Sequence, residues 1–167
     1  NTQVIILAGG KGKRMGSEIP KVLTPFKGRP IIEYIVNVIL DLSLEAKPMI
    51  VVGFGSDLVK EHLGDDVCYA LQDKQLGTGH AVMCAKDVCD KNSNSVLVLY
   101  GDHPNTKLET VKKILDLHSK EDSVITMAVL KVPNFNDFFS NFYGFGRIIR
   151  DSDGKISRIT EVKDATD

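Results

Sequence analysis

Short apolar runs rich in β-branched residues recur along this chain, at residues 4–8, 49–52, 67–71, 96–99 and 124–130, and stretches of helical period separate them. The helical stretches are residues 30–42, 56–63, 78–87 and 107–119; in the last, Leu108, Val111, Ile114, Leu115 and His118 share one face. Strand–helix alternation allows little choice of fold. Successive strands joined through a helix run parallel, and the connection is right-handed, so an α/β sheet with helices on both faces is expected. With 167 residues, 43% of them hydrophobic and 26% charged, the chain can bury a core of its own, and one domain over residues 1–167 is expected. Beyond Leu130 the pattern changes to an aromatic-rich loop over 131–145 and two strand-like runs, 146–150 and 155–159, around the turn dipeptide Asp153 and Gly154.

The first apolar run feeds the segment LAGGKGKRMGSEIPKVL, residues 7–23, which combines glycines with Lys11, Lys13, Arg14 and Lys21. In parallel α/β sheets ligands bind at the carboxyl ends of the strands, where this segment begins. Glycines let backbone N–H groups approach phosphate oxygens, and the cations supply charge, Arg14 through a forked contact. Two common phosphate motifs do not fit. Neither Gly10-Lys11 nor Gly12-Lys13 is followed by Ser or Thr, and Met15 stands where GxGxxG needs its last glycine. A solvated surface loop is the plain alternative. The net charge of −1 argues against a nucleic-acid or anionic-membrane partner, so any anion must be held by a local cluster.

The pattern LAGGxGxRM followed by Pro20 and Lys21 resembles the signature of the sugar-phosphate nucleotidyltransferases. Cytidylyltransferases of isoprenoid synthesis and molybdenum-cofactor guanylyltransferases open on the same signature. LQDKQLGTGHAV (71–82) and LYGDHP (99–104) look like the uracil and metal motifs of the bacterial N-acetylglucosamine-1-phosphate uridyltransferase family, and GFGRIIRDSDGKISRITEVKDAT (144–166) is similar to its sugar-site strand. The resemblance runs nearly end to end, and QLGTGHA is its most specific part. It implies a Rossmann-like, GT-A-like nucleotidyltransferase domain, with a mainly parallel sheet flanked by helices. It also implies a C-terminal part cut short, because the family's second metal ligand and a further sugar contact lie beyond the last segment matched. Contacts between copies would then run through the missing segments.

What the resemblance implies for chemistry is transfer of a uridylyl group from UTP to a sugar 1-phosphate, N-acetylglucosamine 1-phosphate in the first instance. Such a nucleophile is already anionic at neutral pH and needs no base, so the work is positioning and charge neutralisation. Arg14, Lys21 and Asp102 are the implied catalytic residues, Asp102 as the ligand of Mg²⁺. Leu7, Ala8, Gly9, Gly10, Lys21, Gln72, Gly77 and Thr78 are the implied nucleotide contacts, Gln72 reading the uracil edge with its donor and acceptor. Tyr100, Gly101, Gly146 and Glu161 are the implied sugar contacts. Each has a plainer reading: a loop aspartate, a strand-end glutamine, a turn with a helix cap at Gly77-Thr78, a bulge glycine at Gly146, a solvated Glu161. His103 is left unassigned, since the family commonly carries an apolar residue there.

Another sugar or base, or a nucleotide-sugar-binding module without turnover, are the competing readings. The loop NFNDFFSNFYGFG, residues 134–146, is longer and richer in phenylalanine than the family's usual form, which leaves the sugar open. Cys68, Cys84 and Cys89 show no CxxC spacing and are expected to be reduced, buried packing residues of a cytoplasmic protein. No apolar run approaches the roughly 18 residues of a membrane helix.

Overall fold

The computed structural model describes residues 1–12, 19–121 and 123–164. Its centre is a four-stranded parallel sheet of β1 (Thr2–Leu7), β4 (Met49–Val52), β5 (Cys68–Leu71) and β6 (Ser95–Tyr100), in the order β5-β4-β1-β6. Between β1 and β4 come the two-residue strands β2 (Pro25–Phe26) and β3 (Arg29–Pro30), which pair antiparallel, and helix α1 (Ile31–Leu40). Helix α2 (Ser56–Leu63) joins β4 to β5, α3 (Thr78–Ala85) joins β5 to β6, and α4 (Leu108–Lys120) follows β6. The chain thus builds outward from β1 through β4 to β5, then returns past both to place β6 on the other side of β1.

That reversal sorts the helices between the faces. Alternate residues of β1 point opposite ways. Val4 and Ile6 join Ile32, Ile35, Val36 and Ile39 of α1, Val59 of α2 and Val111 of α4 in one buried cluster. Ile5 joins Met49, Val51, Ala70 and the α3 alanines Ala81 and Ala85 in the other. The small side chains of α3 suit a helix packed close on the sheet. The 32/35/36/39 spacing on α1 is the core stripe of an amphipathic helix, and each such side chain contributes about 1.5–3 kcal/mol on burial. Buried Gln3 is fully engaged: its amide nitrogen donates to the Val4 and Lys47 carbonyls, and its oxygen accepts from the Asp90 N–H.

Two compact units divide the chain, Asn1–Thr126 and Met127–Asp167. The second holds a 3-10 segment, Asp137–Gly144, inside the aromatic loop, and the antiparallel hairpin β7 (Arg147–Arg150) with β8 (Ile156–Thr160). Its turn closes through the Gly154 N–H on the Asp151 carbonyl. Two expectations are corrected. Residues 124–130 form no strand: Val124 is 95% exposed, and among the described residues no ladder partner is paired with the segment. β-branched composition makes an extended segment only where a neighbour supplies the hydrogen bonds. The cysteines were expected to be buried, but Cys68 is exposed and Cys84 and Cys89 are only half-buried. Among the described residues no helix is long and apolar enough to cross a membrane.

Candidate functional site

Parallel strands end together, and here their ends make a cleft of about 320 Å³. Register puts Leu7 beside both Val51 and Tyr100, so the segments leaving β1, β4 and β6 start side by side. Backbone bonds continue the register into the loops. The Ala8 N–H donates to the Val51 carbonyl at 2.8 Å, Gly101 N–H to Leu7 at 2.9 Å, and Gln72 N–H to Val52 at 2.8 Å. Gly53 is required by this convergence, since a Cβ there would lie 2.8 Å from the Gly9 carbonyl oxygen.

Eight expected nucleotide residues, Leu7, Ala8, Gly9, Gly10, Lys21, Gln72, Gly77 and Thr78, all line this cleft, together with Tyr100 and Asp102. Gly101 sits behind it, packed against Leu7 and Val22. Arg14 lies outside the described residues. Gly146 and Glu161 belong to the second unit, where they lie against one another.

At one side of the cleft the Lys21 ammonium donates to Asp102 Oδ2 at 2.5 Å. Lys21 is placed by a short 3-10 turn, Lys21–Leu23, whose Val22 is buried in the core, and Asp102 by the tight exit of β6. Both side chains are partly exposed, and an ion pair in that setting stabilises a fold by only about 0–1 kcal/mol. Its position is therefore more informative than its energy. A cation already sits on the Asp102 carboxylate, so that carboxylate is set to hold positive charge. Among the described residues no group of three or more His, Cys, Asp or Glu gathers to hold a metal. A single carboxylate still fits Mg²⁺, which takes one or two from protein and the rest from water and substrate phosphates. His103 stacks on the Tyr100 ring at 5.0 Å, with Nε2 3.8 Å from Asp102 Oδ1.

Gln72 lies at the other side, buried although polar. Its Nε2 donates to the Gly77 carbonyl at 3.0 Å and lies 3.2 Å from His80 Nδ1. Its Oε1 faces Gly9, where an added Cβ would stand 3.0 Å away. Gln75 also lines the cleft and donates to the Gly9 carbonyl at 2.6 Å, tying the β5 loop to the β1 loop. Sequence reasoning missed Gln75, His80, Val22 and Ala81. The first two stand inside the QDKQLGTGHA stretch; a second amide three residues past Gln72, and a histidine in the first turn of the following helix, were the available signals.

A cleft at the carboxyl ends of a parallel sheet, opened by a glycine loop and lined by Lys21 and the buried amide of Gln72, defines an α/β protein that takes its ligand at the strand ends. Residues 4–134 match the MobA-like NTP transferase domain, and the chain belongs to that family. It is similar to the bifunctional protein GlmU of Exiguobacterium sibiricum, 39% identical over 99% of this chain and 35% of that protein. It is likewise similar to GlmU of Ralstonia pickettii, 42% identical over 98% of this chain and 34% of that one. The chain spans about a third of the length of these curated relatives. Solved structures share the fold. HddC from Yersinia pseudotuberculosis superposes with a TM-score of 0.67 at 22% identity, covering 95% of this chain and 68% of its own. The manganese complex of Rv0371C from Mycobacterium tuberculosis gives 0.58 at 15% identity, covering 70% and 58%.

Proposed function

We propose that this chain carries the site for uridylyl transfer from UTP to a sugar 1-phosphate, with N-acetylglucosamine 1-phosphate the leading acceptor. Residues 1–167 are read as belonging to one nucleotidyltransferase domain. The observation that carries the reading is the placement, in one cleft, of the buried Gln72 amide and a charged pair at Lys21 and Asp102. Likeness to GlmU over nearly the whole chain supports the choice of nucleotide and sugar.

In this reaction an oxygen of the sugar phosphate attacks the α-phosphorus of UTP. The bond to the bridging oxygen breaks, and pyrophosphate leaves with the electron pair. Neither partner has to lose a proton to a protein base. The cleft's own residues hold and orient. Gln72 and the backbone around Ala8 and Gly9 seat the base. Lys21, released from Asp102, turns its ammonium to the phosphates, and Arg14 adds a second cation. Magnesium held at Asp102 would neutralise charge on the phosphates. Tyr100, Gly101, Gly146 and Glu161 are the proposed sugar contacts, the Glu161 carboxylate accepting from a hydroxyl. Calorimetric titration of UTP, CTP and ATP, with a pyrophosphate-release assay on N-acetylglucosamine 1-phosphate, tests the reading. UTP is expected to bind tighter than CTP or ATP. Equal affinities for all three nucleotides would overturn it.

A further inference from the structure

Gln72 has been given a base-reading role, but an amide reads a base only if its two ends are held one way round. Flipped by half a turn, it offers a donor where it had offered an acceptor. Two contacts in this structure bear on that choice. The Gly77 carbonyl, 3.0 Å from Gln72 Nε2, can only accept, so it identifies that end of the amide as the nitrogen. His80 Nδ1, 3.2 Å from the same nitrogen, must then accept the second N–H, which places the imidazole proton on Nε2. Both amide donors are thus spent inside the protein. Oε1, which faces Gly9 over the cleft, has no hydrogen-bond partner among the described residues.

Position in the helix explains why His80 can do this. Gly77 is the residue before α3, and its carbonyl also accepts the Ala81 N–H at 3.1 Å. His80 is the third residue of α3, so its side chain points back toward the turn that Gln72 crosses. Cys84, one turn further on, sets its sulfur 3.8 Å from each ring nitrogen of His80 and backs the ring.

We infer that His80 is a positioning residue for base selection: it holds the Gln72 amide with its oxygen toward the nucleotide. This rests on the proposed role of Gln72 in reading the base. An inward acceptor matches the ring N3–H of uracil, and it opposes the bare N3 of cytosine, which needs a donor. Without His80 the amide keeps only the Gly77 carbonyl, and the reversed orientation becomes accessible once cytosine supplies a compensating contact. Loss of one neutral hydrogen bond that favours the uracil-reading state corresponds to a change of about 2–10-fold in selectivity.

The experiment uses the 167-residue chain, with equilibrium titrations of UTP and CTP against wild type, His80→Leu and His80→Asn. An Asn side-chain oxygen sits close to where the imidazole Nδ1 lies and accepts in its place. In His80→Leu the UTP-over-CTP preference is expected to fall by about 2–10-fold, mainly through tighter CTP binding, and in His80→Asn to recover. The ligand-free proteins give an independent readout, since the Gln72 side-chain NH₂ resonances should shift in His80→Leu and return toward wild type in His80→Asn. A preference unchanged in His80→Leu, or both affinities falling by one common factor, would overturn the role of His80 while leaving base reading by Gln72 intact. A wild-type chain that binds UTP and CTP equally would instead remove the base-reading role, and this inference with it.

Discussion

At Lys21, one side chain is asked to serve two anions. It lies on Asp102 at 2.5 Å, and in the proposed reaction it faces phosphate. A partly exposed pair of this kind contributes about 0–1 kcal/mol, so Lys21→Met is expected to leave the melting temperature nearly unchanged. Its effect should fall on the triphosphate. A hydrogen bond to a charged group is worth about 1.5–3 kcal/mol, so UTP affinity should drop by about 10–100-fold and uridine affinity by less than about 2-fold. Calorimetry with both ligands separates the outcomes; equal losses would make Lys21 a structural prop of the loop. The candidate residues on the β1 and β5 loops were legible in the sequence because short motifs hold them. The Lys21–Asp102 pair was not, since 81 residues separate its partners. Likewise the amide end of Gln72 that faces the cleft depends on contacts to Gly77 and His80, and residue type does not reveal it.

Among the elements, the loops leaving β1 and β4 meet so closely that backbone touches backbone. A Cβ on Gly53 would lie 2.8 Å from Gly9 O, 3.1 Å from Gly9 Cα and 3.2 Å from Gln72 O, none of which is a yielding side-chain end. Gly53→Ala is therefore expected to destabilise the protein by about 1–3 kcal/mol, through overpacking and displacement of the β1 loop. Gly10→Ala is the control: nothing lies within 4 Å of its Cβ, and stability should stay within about 0.5 kcal/mol. Urea unfolding of both variants checks the pair. Period alone located all four helices to within a few residues, with 56–63 matching α2 end to end. It misplaced a strand at 124–130, because apolar alternation records what a segment prefers and says nothing about whether a neighbour is there to pair with it.

For the molecule as a whole, two groups among the described residues tie stability to pH. The Tyr69 hydroxyl is raised above its ordinary 10.0, first by burial and then by the negative charges of Asp65 and Cys68. It also donates to the Gly64 carbonyl at 2.6 Å, a bond that needs its proton. Burial alone raises the Cys89 thiol above 9.0. In both cases the folded state keeps a proton that the unfolded chain gives up at a lower pH. The stabilisation they contribute is therefore complete below the ordinary values and is lost as pH rises toward the folded ones. Thermal melts across the alkaline range should show stability declining from about pH 9 upward. Cys89→Ala should flatten the earlier part of that decline and Tyr69→Phe the later part. A decline of the same slope in both variants would assign it to other groups.

Strand–helix alternation, the glycine–cation loop and QLGTGHA are local records. Each is written in neighbouring residues, so fold class and most of the residues that line the cleft were legible in the sequence alone. Strand order could not. Placing β6 beside β1 brings Tyr100 and Asp102 to Leu7 and Lys21, and it depends on which edge of a growing sheet the crossover returns to. That choice is made by burial over the whole sheet, with α1, α2 and α4 packed on one face and α3 on the other. Hydrophobic free energy of this kind scales with area and carries no sequence separation, so no short motif encodes the juxtaposition on which the site depends.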